Sequence, residues 1–295
     1  MRLAFAACAL CAALVLTAGC GSSSDVVKLE TVADAATKTE GVGTARFSFE
    51  GHVRFNHDHA QRFEFKGRGI ADWRTGSVKM SAVYKFPSAV QEVIRHQLGG
   101  PLSADFILDE SEGIVLYVRF PFLKGQLPGG KSWLKADIVK IGKRYGLDLD
   151  RLEEAKHSDP GNMLAYLKSA VGVEKVGSDV VQREVTIHYA TQVDAETIVE
   201  QSPPAQRKAM RKYLRLMGVK TYPVDIWVDR EGVVRKLQIE LEYKLPGGDY
   251  VEMTISEEYF DFGIETVIEA PPAKSVLDVT PRVENEGQEA RRLKS

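Results

Sequence analysis

Cysteine is nearly absent from this chain: three occur in 295 residues, Cys8, Cys11 and Cys20, and none lies beyond position 20. A body without cysteine has no disulfide framework, no thiolate nucleophile and no cysteine-bound zinc. Charge of one sign is lacking as well, with 39 Lys and Arg against 41 Asp and Glu. There is thus no broad basic field of the kind that holds nucleic acid, and no nucleic-acid partner is expected. No Gly-x-Ser-x-Gly elbow or Gly-rich phosphate loop is found, which removes the common routes to acyl-transfer and nucleotide chemistry. Asp148/Asp150 and Glu153/Glu154 are close carboxylate pairs, but they fall in polar helical contexts and read as caps and solvated faces, not as an acid/base pair. No catalytic residue and no cofactor is expected.

What is present begins at the N-terminus. Arg2 is followed by an apolar stretch, Leu3 to Leu16, that ends in the small residues Thr17, Ala18 and Gly19. This is the pattern of an export signal over residues 1–19. It is shorter than the roughly 20 apolar residues a spanning helix needs, and it runs into Gly21-Ser22-Ser23-Ser24 rather than a second basic flank. Leu16-Thr17-Ala18-Gly19-Cys20 resembles a lipobox, with Thr17 where Leu is commoner. Cys20 is therefore the expected lipidation site, and residues 20–25 the tether behind it. An ordinary secretory signal with an incidental cysteine would not explain why small residues, cysteine and tether arrive in that order. The expected location is the outer face of the cell membrane, with the lipid on Cys20 as the membrane partner.

The remainder reads as one β-rich domain, residues 26–279, followed by a charged, disordered tail over 280–295. Val26 to Thr39 predicts a helix. Phe47, Phe49, Val53 and Phe55 alternate with polar residues, as do Val78, Met80, Ala82, Tyr84 and Phe86, which is the period of a half-buried strand. A short helix is expected over Ala89–Leu98 from Val90, Val93, Ile94 and Leu98, and strands around Phe106–Leu108 and Ile114–Phe122. The Pro/Gly-rich loop Phe120 to Gly130 carries more large apolar groups than a loop normally does; it is a lid or folds onto its own core. Residues 135–170 predict two or three helices, Val180–Val193 a strand, and Ser202 to Gly218 a helix. Val224–Asp229 and Leu237–Tyr243, joined by Asp229-Arg230-Glu231-Gly232, predict an antiparallel meander that Val251, Met253 and Ile255 continue.

Trp133-Leu134-Lys135-Ala136-Asp137, Ser158-Asp159-Pro160-Gly161-Asn162-Met163-Leu164, Glu174-Lys175-Val176-Gly177, His188-Tyr189 and Val224 to Gly232, in that order over roughly residues 30–270, resemble the actinobacterial LppX/LprG-type lipoproteins with a LolA/LolB-like fold. The resemblance implies an α+β architecture: a strongly curved antiparallel sheet forming a half-open barrel, with helices packed on its concave side and an apolar cavity between the layers. It also implies a non-enzymatic protein that binds or transfers acyl-chain lipids or acylated glycolipids. A surface adaptor or sensor that binds a protein partner is the alternative.

Candidates of the right kind for a cavity wall are Phe49, Val53, Phe65, Met80, Tyr84, Leu116, Val118, Ile239, Leu241 and Met253, since such side chains adapt to chains of differing length. His57-Asp58-His59 is the one close pair of potential metal ligands and reads as a solvated hairpin turn, so no metal is expected. The basic run Arg207, Lys208, Arg211, Lys212 and Arg215 either meets anionic headgroups or is a solvent face.

Overall fold

In a computed structural model the chain is described over residues 30–110, 113–144, 164, 167, 170–201, 207–208, 211, 214–215, 218, 220–244 and 248–283. Helices α1 (Glu30–Gly41), α2 (Ser88–Leu98), α3 (Ile138–Arg144) and α4 (Ala195–Gln201) accompany the strands. In chain order these are β1 Thr44–Phe55, β2 Asp58–Asp72, β3 Ser77–Lys85, β4 Leu102–Asp109, β5 Val115–Arg119, β6 Trp133–Asp137, β7 Ala170–Val181, β8 Glu184–Asp194, β9 Thr221–Asp229, β10 Val234–Lys244, β11 Tyr250–Phe260 and β12 Val276–Asp278. All twelve form one sheet in the order β12-β6-β5-β4-β3-β2-β1-β11-β10-β9-β8-β7.

Two meanders make this sheet. β1 to β6 step outward in one direction; the chain then starts again at the far edge with β7 and steps back until β11 pairs with β1. The pairings are antiparallel except β12, which lies parallel on β6. The sheet is curved and unclosed, and helices are few among the described residues. Glycines permit close packing at its centre: a Cβ on Gly67 would come within 2.2 Å of the Ser81 carbonyl oxygen and 2.4 Å of Phe49 Cζ, and one on Gly69 within 2.6 Å of Phe47 Cζ. Only glycine allows rings and neighbouring backbone to approach that closely.

α1 packs against β10 and β7. Its Val32, Ala35 and Ala36 are buried with Phe47, Ala71, Val234, Leu237 and Tyr259, and the helical residues Leu164 and Leu167 join the same core. Buried Thr39 donates its hydroxyl to the Ala35 carbonyl at 2.6 Å and accepts the Val234 N–H at 2.9 Å, tying α1 to the start of β10. Residues 261–275 cross from β11 to the opposite edge. Gly263 N–H donates to Thr44 O and the Thr44 hydroxyl to Ile264 O, both at 2.8 Å, and Ser132 N–H donates to Ser275 O at 2.9 Å.

Several boundaries differ from the sequence expectation. Trp133–Asp137 is strand β6, held between β5 and β12, and helix begins at Ile138. The single strand expected over Val180–Val193 is the hairpin β7–β8, turning at Gln182 and Arg183 with positive φ of 49° and 72°. Asp58 and His59 belong to β2, the turn being Asn56-His57. Thr280 is not tail: it is buried, accepts the Asp137 N–H at 2.9 Å, and opens a helical turn that reaches Val283. Residues 1–29, including Cys20 and the tether, lie outside the described residues, as do most of the helices expected between 145 and 169.

Candidate functional site

The register puts all ten cavity candidates on one face of the sheet, the face that α1 covers at one end. Cross-strand neighbours form rows: Leu241–Met253–Val53–Phe63, then Ile239–Ile255–Gly51–Phe65–Tyr84–Leu102, then Tyr259–Phe47–Gly69–Met80–Phe106–Val118–Leu134. Leu116 shares a further row with Leu108, Val78 and Ala71. Phe49 lies between the second and third of these rows, beside Gly67 and Glu257. Directly opposite residues in an antiparallel pair point to the same side, so membership of one row is membership of one face.

An aromatic track runs the length of this face. Trp73 meets Tyr259 with ring centroids 6.1 Å apart, Tyr259 meets Phe47 at 6.5 Å, and Phe47 meets Phe49 at 6.0 Å. Phe49 then reaches Phe65 at 6.4 Å, Phe65 reaches Phe63 at 5.9 Å, and Phe63 contacts both Tyr84 at 5.9 Å and Phe86 at 5.0 Å. Burial divides the track. Phe47 and Tyr259 are 6% and 4% exposed under α1, whereas Phe49, Phe63, Phe65, Tyr84 and Phe86 are only half-buried. Glu257, which accepts a hydrogen bond from the Tyr259 hydroxyl, is a polar point within it. The sequence reading picked Phe49, Phe65 and Tyr84 but missed Phe63, Phe86 and Ile255. The Phe63-x-Phe65 alternation was a usable signal; which strands those residues face was not.

Three grooves border the same strands. One of about 530 Å³ adjoins Phe49, Glu50, Lys66 and Ser256. One of about 720 Å³ adjoins Phe65, Tyr84, His52, Glu64 and Lys85, and one of about 590 Å³ adjoins Leu241, Met253, Arg54 and Glu240. Most of their lining belongs to the opposite, polar face, with Ser48, Glu50 and Ser81 in the first, His52, Glu64 and Lys85 (paired with Glu64 at 3.2 Å) in the second and Arg54, Glu240 and Glu242 in the third; the aromatic face contributes only a few residues to each. Burial, with Arg62 and Arg54 nearby, lowers the His52 pKa, and burial raises that of Tyr84.

Among the described residues, one cluster could in principle coordinate a cation: His57, Glu242 and Glu252 place a donor atom each within 4.8 Å of the others. The Glu252 carboxylate, however, is hydrogen-bonded to His57 and ion-paired with Arg54, which already balances its charge. The cluster reads as a surface ion network. His188 is bonded to Asp225 at 2.6 Å and stacks on Trp227 at 4.3 Å, a strand residue as its sequence setting suggested. In the basic run, Arg207 donates to the Glu200 carbonyl and Arg211 pairs with Glu196, so two of its cations serve to hold that segment to α4.

An unclosed, curved, mostly antiparallel sheet with one face lined by aromatic residues is thus the class of structure this chain forms. Among known proteins, no family model matches it. It is similar to an uncharacterised 31.2 kDa protein of Streptomyces griseus, 29% identical over 154 residues that cover 51% of this chain and 49% of that one. The match therefore spans about half the length of that relative. It is also similar to a Streptomyces coelicolor protein provisionally named a lipoprotein, 20% identical over 231 residues that cover 77% of this chain and 68% of that one. Of solved structures it resembles LprF from Mycobacterium bovis, at 13% identity and a TM-score of 0.42, covering 83% of this chain and 97% of LprF. It likewise resembles the Mycobacterium tuberculosis lipoprotein LppX, at 10% identity and a TM-score of 0.41, covering 82% of this chain and 97% of LppX.

Proposed function

We propose that this protein is a lipid-anchored, extracytoplasmic carrier that holds the acyl chains of a lipid or glycolipid along its aromatic track, without enzymatic chemistry. The observation that carries the reading is the half-buried run Phe49–Phe65–Phe63–Tyr84/Phe86, which continues the apolar core beyond the reach of α1. A folded protein has no structural need for large rings left partly open to water, and covering them is favourable by about 25 cal/mol per Å² of apolar area. An acyl chain has the matching need, at about 0.8 kcal/mol for each methylene taken out of water. The lipobox-like run ending in Cys20 and the resemblance to LppX/LprG-type lipoproteins support the same conclusion.

Organic extraction of the purified protein followed by mass spectrometry should release an acyl lipid, and a fluorescent fatty-acyl probe should compete for the same site. Phe63→Ala combined with Phe65→Ala should weaken probe binding about tenfold or more, as expected when two buried aromatic contacts of ~1–2 kcal/mol each are lost. Lys66→Ala, on the opposite face, should leave it unchanged. Absence of both co-purifying lipid and probe uptake would sink the proposal. The adaptor reading finds its support at edge strand β7, where Val176 and Val180 are 56% and 62% exposed. A reproducible crosslinked protein partner lost on Val180→Asp would favour it.

A further inference from the structure

We propose that the free face of α2 docks the open end of the track onto a bilayer with anionic headgroups, a proposal that rests on the carrier reading above and says where cargo enters and leaves. α2 connects β3 to β4 at the end of the sheet remote from α1. Phe86, just before the helix, contacts Phe63 at 5.0 Å, and Gln91 Oε1 accepts the Phe86 N–H at 3.0 Å. The helix is therefore fixed to the mouth of the track. Yet none of its residues is buried, and Val90 and Val93 are 46% and 53% exposed.

Residues three apart share a helix face. An amphipathic helix of a globular protein normally turns its apolar stripe inward; here two valines of that stripe face solvent beside an apolar track. Phe55, 36% exposed at the tip of β1, stands at the same end of the sheet. So does the loop after β5, where Phe120 and Phe122 lie 5.5 Å apart and half-buried.

The charges at this end select the occupant. Arg95 lies in the last turn of α2 and Lys124 is exposed in the loop, with Glu92 the acidic residue on the helix; of the carboxylates on the strands at this end, Glu64 is paired with Arg62 and Lys85, Glu252 with Arg54, and Asp249 accepts from Asn56. A short apolar stripe flanked by cations is the pattern of a helix that lies in the membrane interface. A bilayer also removes the step the carrier must avoid, because an acyl chain passing directly between membrane and track never crosses water. An anchor at Cys20, shortly before α1, would keep the body within reach of that surface.

The absence of cysteine beyond position 20 makes the test clean. In the chain from residue 20 onward carrying Cys20→Ser, Val93→Cys or, separately, Val176→Cys on β7 receives an environment-sensitive fluorophore. Phosphatidylcholine/phosphatidylglycerol vesicles should shift the emission of the label at 93 to the blue and leave the label at 176 unchanged. The shift should shrink at high salt and with phosphatidylcholine alone. Val90→Asp should abolish it while uptake of the acyl probe in vesicle-free solution is retained. A label at 93 that stays water-like with vesicles, or that responds no more than the one at 176, overturns the docking. So does a response that appears only with added envelope protein, which would assign the face to a protein partner. If the shift occurs but the vesicle-free protein takes up no acyl probe, the docking stands and the carrier reading fails.

Discussion

Gly67 and Gly69 occupy positions in β2 where a side chain would strike both a ring and a neighbouring strand. With its Cβ 2.2 Å from the Ser81 carbonyl oxygen, Gly67→Ala should destabilise the fold by about 1–3 kcal/mol, the usual cost of overpacking. Gly177→Ala, which meets nothing within 4 Å, should be close to neutral by comparison. Denaturant melts of the two variants side by side check this. Asp72 sets a second test at the same scale. Hydrogen bonds from the Arg74 guanidinium, at 2.8 and 2.7 Å, hold its carboxyl below the ordinary carboxylate value. A carboxyl whose pKa falls on folding contributes stability above its unfolded value, near 3.9, and loses it as pH drops through the folded value. Arg74→Gln removes most of that depression, so acid unfolding followed by circular dichroism should begin at a higher pH than in the native protein.

At the level of elements, the strands with clean alternation were legible and the turns between them less so. β1, β3 and β10 follow Phe47/Phe49, Val78/Met80/Ala82 and Leu237/Ile239/Leu241, because a half-buried strand writes its period into the sequence. The β7–β8 hairpin was hidden because Gln182 and Arg183 adopt positive φ without the glycine or asparagine that usually marks such a turn. A non-glycine residue there carries a conformational cost of roughly 1–2 kcal/mol. Arg183→Gly should therefore raise thermal stability by up to about 1 kcal/mol, less whatever the added freedom of glycine in the unfolded chain takes back. An unchanged or lower melting temperature would show that the turn is already relaxed. β6 and β12 were misread or missed for another reason: a short edge strand is defined by its neighbours, and Trp133–Asp137 has too few residues to establish a period alone.

For the whole molecule, the proposed anchor and the proposed acyl-binding track are separable. Cys20→Ala should move the protein from the membrane fraction to the soluble extracytoplasmic fraction while acyl-probe binding by the purified body stays within about twofold, since the aromatic rings belong to β1, β2 and β3 and not to the N-terminal segment. Loss of binding on release would mean that the anchor's own lipid had been occupying the track. Of the candidate site, the chemical character was legible and the assembly was not. Val53 and Met253 are 200 positions apart in the chain, yet with Leu241 they are consecutive in one row of the sheet.

What the sequence by itself determined is local: an apolar stretch followed by small residues and a cysteine, a stretch beyond that cysteine with no further thiol, and strands each with one apolar side. Only the tertiary structure decided that the second meander returns to pair β11 with β1, that apolar rows from both meanders therefore form one surface, and that α1 covers it at one end while no residue of α2 is buried. The physical reason is that a period of two states that a strand has a buried face, whereas pairing and register depend on contacts between segments far apart in the chain.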